Sequence, residues 1–489
     1  MMNDSTLITG ITLAYLLIVL IVGLKARQGQ SSSLEGYVTG GRHMGLMVLF
    51  FILGAEIFSA FAFLGAPGWA YSKGAPALYI MAYLTLAVLV WWIMAPHISR
   101  LGRQHGFLTQ AEFLSACYPS KGNILGLFVG IVSILAMIPY LTIQIAGAGL
   151  LFEAATAGTI PFWLGSLLAC AVVTAYVYAS GLQGIGWTNL VQGIMMVVVA
   201  WFLGIATVDQ LYGGVEEMFR QIQQEAPEYL TMPGANGMSW GAFSTAILVS
   251  ALGCVMWPHI FMKFYSAKSE RTLKRAFILY PLYSYLLIPI VFIGFAGVLA
   301  LKDTPLDSPD RVLLTLVIEV ADFPAWLVGI ALSGALAAAM STAANLAHTS
   351  ATILVRDVGV HLPACRRLSD ERALTLTKYG VVVVSLAAYL LALANPASLV
   401  SLLLGAYGIV VQLLPMLLGA LFWRKASRSG AFVGLAVGAA LTIYLMISGN
   451  PPFGWTPGFC GLLVNTLVFV VISWYGKHET SETPAEALS

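Results

Sequence analysis

AAAMSTAANLAHTS, residues 337–350, lies inside a stretch from 324 to 355 that is otherwise apolar and long enough to cross a bilayer. Ser341 and Thr342 stand side by side near its middle, with alanine almost everywhere around them. Whether this stretch crosses a membrane decides the fold, and what two hydroxyls do at that depth decides much of the function.

The surrounding composition answers the first question. Of the 489 residues, 59% are hydrophobic and 9% charged, and the mean hydropathy is +0.86. A soluble domain carries roughly 25% charged residues, so this chain lacks the material for a water-facing surface. Apolar runs of about 20 residues recur along its whole length, the span of a bilayer core. Barrel strands would read as alternating segments of about ten residues, and none is visible. The chain is therefore expected to be an all-α polytopic membrane protein. Thirteen spans are expected, near 6–25, 46–71, 75–99, 122–152, 160–180, 187–208, 241–264, 274–301, 324–355, 372–394, 397–421, 429–448 and 456–475. The first has no basic leader and no small-residue cleavage site, so it reads as a retained helix. The largest external loop, 209–240, contains EEMFRQIQQEAPEYL (216–230), which suits a surface helix.

Basic residues orient these spans, because they concentrate on the cytoplasmic side. With the N-terminus outside, all but Lys73, Arg220, Lys302 and Arg311 of the 24 lysines and arginines fall inside. That inside set runs from Lys25, Arg27 and Arg42 through Lys263, Lys268 and Arg271 to Arg366, Arg367 and Lys477. The expected location is the cell (inner) membrane, multi-pass, with a cytoplasmic tail at 476–489. A net charge of +2 explained by topology gives no reason to expect nucleic acid. Cys117, Cys170, Cys254, Cys365 and Cys460 are scattered singly, which argues against a disulfide framework or a zinc site.

Two spans carry interruptions. The second, FFILGAEIFSAFAFLGAPGWAY (50–71), holds Gly54, Gly65, Pro67 and Gly68 and an acidic Glu56. The seventh, STAILVSALGCVMWPHIFMKFY (244–265), holds Gly253 and Trp257-Pro258-His259. Membrane helices tolerate Gly and Pro, yet transporters also use unwound helices at mid-depth, where freed carbonyls bind ions. The two spans are five apart and so cross in opposite directions. Two inverted five-helix repeats would give that arrangement, one over 46–208 and one over 241–421.

In the ninth span Ala338, Ser341 and Thr342 share a helix face at i, i+3 and i+4, and Asn345, His348, Thr349 and Thr352 continue it. A buried hydroxyl can satisfy itself on the carbonyl one turn back, and small residues let helices approach closely. A one-sided polar track from mid-depth inward also suits an ion site with an exit path, since a dehydrated Na⁺ needs hard oxygen ligands.

At this point the chain resembles the sodium/solute symporter family, whose members carry sugars, proline, pantothenate, sialic acid and monocarboxylates. The resemblance covers nearly the whole chain. It rests on GAEIFSAFAFLGAPGWAYSKG (54–74), SGLQGIGWTNLVQG (180–193), SAKSERTLKRA (266–276), AAAMSTAANLAHTSATILVRDV (337–358) and QLLPMLLGALFWRKASRSGA (412–431). It implies a LeuT-like core of inverted five-helix repeats, with one extra N-terminal and two extra C-terminal helices.

It also implies a sodium site formed by carbonyls of Ala55, Phe58 and Ala338 and hydroxyls of Ser341 and Thr342. Some members hold a second sodium with an aspartate in a T-D-x-x-Q run and further serines. Here the run is Thr188-Asn189-Leu190-Val191-Gln192, with Ala344 and Asn345 at the serine positions, so one Na⁺ per cycle is expected.

The solute cavity implied by the resemblance lies between spans two, three, four, seven and eleven. Ser59, Phe61, Tyr140, Gln144, Trp257, His259 and Gln412 are its expected lining. Met81 and Ala62 stand where sugar carriers place acidic or amide groups, which disfavours a polyhydroxylated sugar. FLGAPGWAYSKGAPALYIMAY (63–83), HGFLTQAEF (105–113) and IPYLTIQIAG (138–147) resemble the monocarboxylate-carrying branch most. A compact anion suits an apolar pocket with a few donors, His259, Tyr140, Gln144 and the positive helix ends at the breaks. His259 could instead cap helix carbonyls.

Glu56, an intramembrane carboxylate, is a functional candidate by default. It either adds charge to the sodium site, exchanges protons, or bonds freed backbone groups at the break. The expected activity is thus sodium-coupled symport of a small organic solute, most plausibly a short monocarboxylate. The alternatives are an amino acid, pantothenate or another carboxylate-bearing solute, or a proton-coupled carrier using Glu56. No HExxH, GxSxG or paired intramembrane carboxylate points to an enzyme. The bilayer and the solute are the expected partners, and the expected working unit is a monomer.

Overall fold

The structure is a computed structural model that describes every residue except 1, 30–32, 305, 363–367, 395–398, 477–482 and 489. Cys365, Arg366, Arg367 and Lys477 lie outside the described residues. The other four cysteines are buried and free. Among the described residues no strand forms, and one isolated bridge joins Met44 to Ala267. The reason is physical: a bilayer offers no water to bond peptide groups, and a helix satisfies them within one segment. Connections end in side-chain caps. Ser33, Thr109, Ser239, Ser269 and Ser427 each accept from a backbone N–H at the helix start they precede.

Among the described residues eleven helices are long and apolar enough to cross a membrane, and the pair Leu46–Ile57 and Phe61–Lys73, bent by 52°, makes twelve if it is counted as one span. The helical run Phe162–Tyr212 holds 51 residues. It is two helices, 162–180 and 182–212, of about 28 Å and about 46 Å at 1.5 Å per residue, each comparable to or longer than a hydrocarbon core. Gly181 interrupts it with φ 53° and ψ −145°, where a side chain would also press on Tyr37. The spans expected at 160–180 and 187–208 are two helices that meet at this glycine with no loop between them, and counting them separately raises the number of candidate spans among the described residues by one.

The ninth expected span, Ala325–Ile353, is the hub. Its most apolar window is 94% buried, against 33% for the first span. It packs on Ile124–Ala155, Phe162–Tyr212, Asp370–Ala394, the first span and Leu46–Ile57. Its alanines permit that crowding, because small side chains let helix backbones come close. In the 209–240 loop a helix does form, Val215–Glu225, turning Met218 and Ile222 (i, i+4) into the protein. The short helix Gln110–Cys117 has no counterpart in the sequence reading.

Glycines mark other close approaches. A Cβ on Gly68 would stand 2.7 Å from the Pro309 carbonyl oxygen, and one on Gly294 would overlap the Pro67 carbonyl. These contacts lock the second half of span two, Ala66–Lys73, against Leu287–Ala300 and the turn Pro309–Arg311. Gly294→Val is expected to destabilise the protein by about 1–3 kcal/mol through overpacking. Gly10→Ala, where nothing lies within 4 Å, should be neutral. Thermal unfolding of the detergent-solubilised protein checks both.

Candidate functional site

Span two breaks at Phe58, whose φ −86° and ψ 81° leave the helical region. No glycine or proline is at this point. Gly65, Pro67 and Gly68, the residues that suggested the interruption, sit further on, in and after the wide turn Phe61–Gly65. The freed groups are satisfied individually, as buried backbone requires. Ala60 N–H donates to Gln144 Oε1 at 2.9 Å, and Phe61 N–H to Ser59 Oγ at 3.2 Å. On the carbonyl side, Ser341 Oγ donates to Ala55 O at 2.8 Å and lies 3.0 Å from Ala338 O. Thr342 Oγ1 reaches Glu56 O at 2.9 Å and Ala55 O at 3.4 Å. Two hydroxyls from span nine and the carbonyls of Ala55, Glu56 and Ala338 thus converge in a fully buried spot. They form a set of hard oxygens of the kind an alkali cation takes. The Ser341 and Thr342 hydroxyls bond no nearer to the break than Glu56 O, so the carbonyl of Phe58, two residues further on, is not among the groups they reach.

Span seven breaks where expected, between Trp240–Cys254 and Pro258–Ser266. Pro258 brings no donor, and Gln110 Nε2 donates to the Met256 carbonyl at 3.1 Å. The break projects Trp257 and His259 toward Tyr140, with ring centroids 5.0 Å (Tyr140–Trp257), 5.5 Å (Trp257–His259) and 5.9 Å (Tyr140–His259) apart. Tyr140, Trp257 and His259 therefore form one buried aromatic group, and Ser59 and Phe61 are buried at the span-two break. Ala62 is buried with them, and Met81 is only partly buried.

Three residues behave differently from expectation. Lys263, counted among the cytoplasmic-side cations, is 1% exposed on Pro258–Ser266, with Nζ 3.8 Å from Glu56 Oε1. Its position at the very end of an apolar run made it look like a boundary charge. The missed signal was its spacing, one turn from His259 on the same face. Gln412 points away from the break and toward the last helices. It donates to Gly408 O, Gly458 O and Thr442 Oγ1 and accepts from Asn465, so its amide is committed there. Gln144 spends its oxygen on Ala60 N–H and its nitrogen on Tyr140 O at 3.1 Å, so it holds the break open.

Glu56 is fully buried. Its nearest basic groups are the His259 ring, with Nε2 at 3.5 Å, and the Lys263 ammonium, with Nζ at 3.8 Å, and neither carboxylate oxygen has a hydrogen-bond partner.

The polar track of span nine continues as expected from its periodicity. Asn345 donates to Ser341 O at 3.0 Å, Thr352 to His348 O at 2.9 Å, and His348 Nε2 meets Tyr37 O at 3.0 Å. The track ends under a plug of Leu34, Tyr37, Val38, Leu108 and Met262. Around that plug Arg42 bonds Glu35, Gly102 O and Phe107 O, and Arg356 pairs with Glu112. Asn189, which stands where some relatives carry an aspartate, is buried with no partner for either amide atom.

Comparison with known proteins agrees with this architecture. The profile of the sodium:solute symporter family matches residues 37–438. The uncharacterized symporter YhjB of Bacillus subtilis is 33% identical, over 96% of this chain and 98% of its own length. The sodium/pantothenate symporter of Escherichia coli is 29% identical (95% of each chain), and a monocarboxylate transport permease protein of Rhizobium johnstonii 25% (96% and 98%). Among solved structures, a Na⁺-coupled sialic acid symporter superposes with a TM-score of 0.81 over 98% of this chain and 99% of that one, at 17% identity. The chain belongs to the sodium:solute symporter family. It has a LeuT-like fold and is a membrane transporter coupled to sodium, not an enzyme.

Gln144→Leu should cost about 1–3 kcal/mol, since it strands the buried Ala60 N–H. Thermal unfolding reads that loss, which Gln144→Ala should share.

Proposed function

We propose that this family member imports a short monocarboxylate, of the lactate, pyruvate or propionate kind, together with one Na⁺. The observation that carries the reading is the Ser341 and Thr342 hydroxyl pair turned onto the carbonyls of a broken helix. That oxygen cluster abuts a buried group rich in donors. In this reading Na⁺ takes the Ser341 and Thr342 hydroxyls and the carbonyls of Ala55, Phe58 and Ala338. Each hydroxyl then gives up its present carbonyl bond and offers a lone pair to the ion. Ser59, Phe61, Tyr140, Trp257 and His259 line the solute site, while Gln144 acts by keeping the break open.

A monoanion is favoured over a sugar because the site offers Trp257 Nε1, His259 and Lys263 as donors. Its one carboxylate, Glu56, already has Lys263 and the His259 ring beside it. Asn189, Ala344 and Asn345 supply no second carboxylate or serine cluster, which supports a single sodium. The names of relatives that carry pantothenate, proline and monocarboxylates keep carboxylate-bearing solutes in common. A proton-coupled carrier using Glu56 is the second reading, and the unpartnered carboxylate favours it.

Transport follows from alternating exposure of this buried site. The repeats 46–208 and 241–421 rock against each other, and the inward phase requires the Tyr37–Leu108–Met262 plug to part. That plug faces the cytoplasm, with the N-terminus outside, the 476–489 tail inside and the monomer as working unit.

Uptake into proteoliposomes over a panel of carboxylates, amino acids and sugars tests the solute, with and without a Na⁺ gradient. Accumulation of a monocarboxylate driven by Na⁺ is expected, and uptake indifferent to Na⁺ would refute the coupling. Ser341→Ala and Thr342→Ala should each raise the half-saturating Na⁺ concentration about tenfold, ~1.4 kcal/mol, with solute preference unchanged. Glu56→Gln should alter the Na⁺ dependence of uptake if the carboxylate serves the ion, or its pH dependence if it carries protons.

A further inference from the structure

Lys263 and Glu56 are two buried charges that neither the helix scaffold nor the sodium ligands require. A Lys–Glu pair placed for stability alone would be poorly made. Charge-assisted bonds close to about 2.7–2.9 Å, whereas Glu56 Oε1 lies 3.8 Å from Lys263 Nζ and 3.5 Å from His259 Nε2. Both carboxylate oxygens are without hydrogen bonds, and Lys263 spends one of its three donors on His259 O at 3.3 Å. Such a loose pair costs more desolvation than it regains unless something else completes it.

Two things adjoin it, one on each side. On the Glu56 side the residue's own carbonyl accepts from Thr342 Oγ1 at 2.9 Å, so the carboxylate is carried by the backbone of the oxygen cluster. On the Lys263 side stand His259 and Trp257, whose Nδ1 and Nε1 have no partner, and the Tyr140 ring. Lys263 Nζ has donors to spare and Trp257 Nε1–H is unspent, while the neutral imidazole of His259 can turn one N–H into the same space, so the group can receive an anion.

We propose that Lys263 is the cation that receives the solute carboxylate, and that Glu56 is the counter-charge linking it to the sodium site. The proposal rests on the monocarboxylate reading and adds how ion and solute recognise each other. Charges then alternate along a line: Na⁺, Glu56, Lys263, solute anion. Before binding, Glu56 and Lys263 neutralise each other. Sodium competes with Lys263 for Glu56, which leaves Lys263 with surplus positive charge for the anion. The anion in turn frees Glu56 for sodium. Either ligand alone leaves one unit of charge uncompensated in a medium of low dielectric, and both together leave none. The coupling is reciprocal by thermodynamic necessity.

The test uses the purified full-length protein, with Na⁺ and propionate as probes and tryptophan fluorescence or calorimetry as readout. In the unsubstituted protein, saturating Na⁺ should tighten propionate about tenfold, and propionate should tighten Na⁺ by the same factor. Lys263→Gln should lose propionate affinity about a hundredfold while binding Na⁺ about tenfold more tightly, because Glu56 is released to the ion. Lys263→Arg should keep both affinities within a few-fold. The double variant Glu56→Gln/Lys263→Gln, which buries no net charge, should bind Na⁺ within a few-fold of the unsubstituted protein. In it propionate affinity should no longer respond to Na⁺.

Unchanged propionate and Na⁺ affinities in Lys263→Gln would overturn the proposal. If the unsubstituted protein binds no monocarboxylate, the solute reading fails and the Na⁺ arm still decides. Tighter Na⁺ in Lys263→Gln then upholds the pair, and unchanged Na⁺ refutes it. Should Lys263→Gln fail to fold, the double variant decides: persistence of the Na⁺ effect on propionate refutes the proposal.

Discussion

The break at Phe58–Ala60 puts unpaired peptide groups in the middle of a membrane protein, and everything around it answers that demand. An unsatisfied peptide group in so dry a place costs several kcal/mol. The donors are taken up by Ser59 and Gln144, the carbonyls by Ser341 and Thr342. The hydroxyls that close the gap are therefore a structural necessity and an ion-binding opportunity at once. An alkali cation placed among these oxygens could draw on the hydroxyl lone pairs and the carbonyls in place of the hydrogen bonds that now join them. Span nine must come close enough to deliver the hydroxyls, and its alanines provide the clearance.

The same constraint explains why the charged pair sits where it does. A helix that stops at mid-depth leaves a polar environment around its end, and Glu56, one residue past the Ala55 carbonyl, lies in that environment. The break in span seven turns Trp257, His259 and Lys263 toward it. Two interruptions five spans apart thus bring acceptors and donors to one place, with aromatic rings from Tyr140 and Trp257 walling it off.

Much of this could be read in the chain before any coordinates. Residue periodicity put Ser341, Thr342, Asn345 and His348 on one face, since a helix repeats every 3.6 residues whatever it packs against. Pro258 announced the second break, because proline cannot donate. The first break was harder: Phe58 is an ordinary residue, and the glycines and proline nearby serve a wide turn and close packing instead. Gln412 illustrates the opposite limit. Its placement on a helix was legible, but which neighbour its amide would face depended on Thr442 and Asn465, thirty and more residues away. Lys263 was misread for the same reason, since a lysine at the end of an apolar run looks alike whether it meets water or a buried carboxylate.

The sequence by itself determined the membrane class, the positions of most spans, the polar face of span nine and the family, because hydrophobic length and local periodicity are properties of neighbours along the chain. Only the tertiary structure decided that the helices on either side of Gly181 meet without a loop. It alone showed that Gln144 holds a peptide group and that Glu56 and Lys263 face each other. The last two facts depend on which helices touch, and contact between residues 84 or more positions apart leaves no local pattern from which to read it.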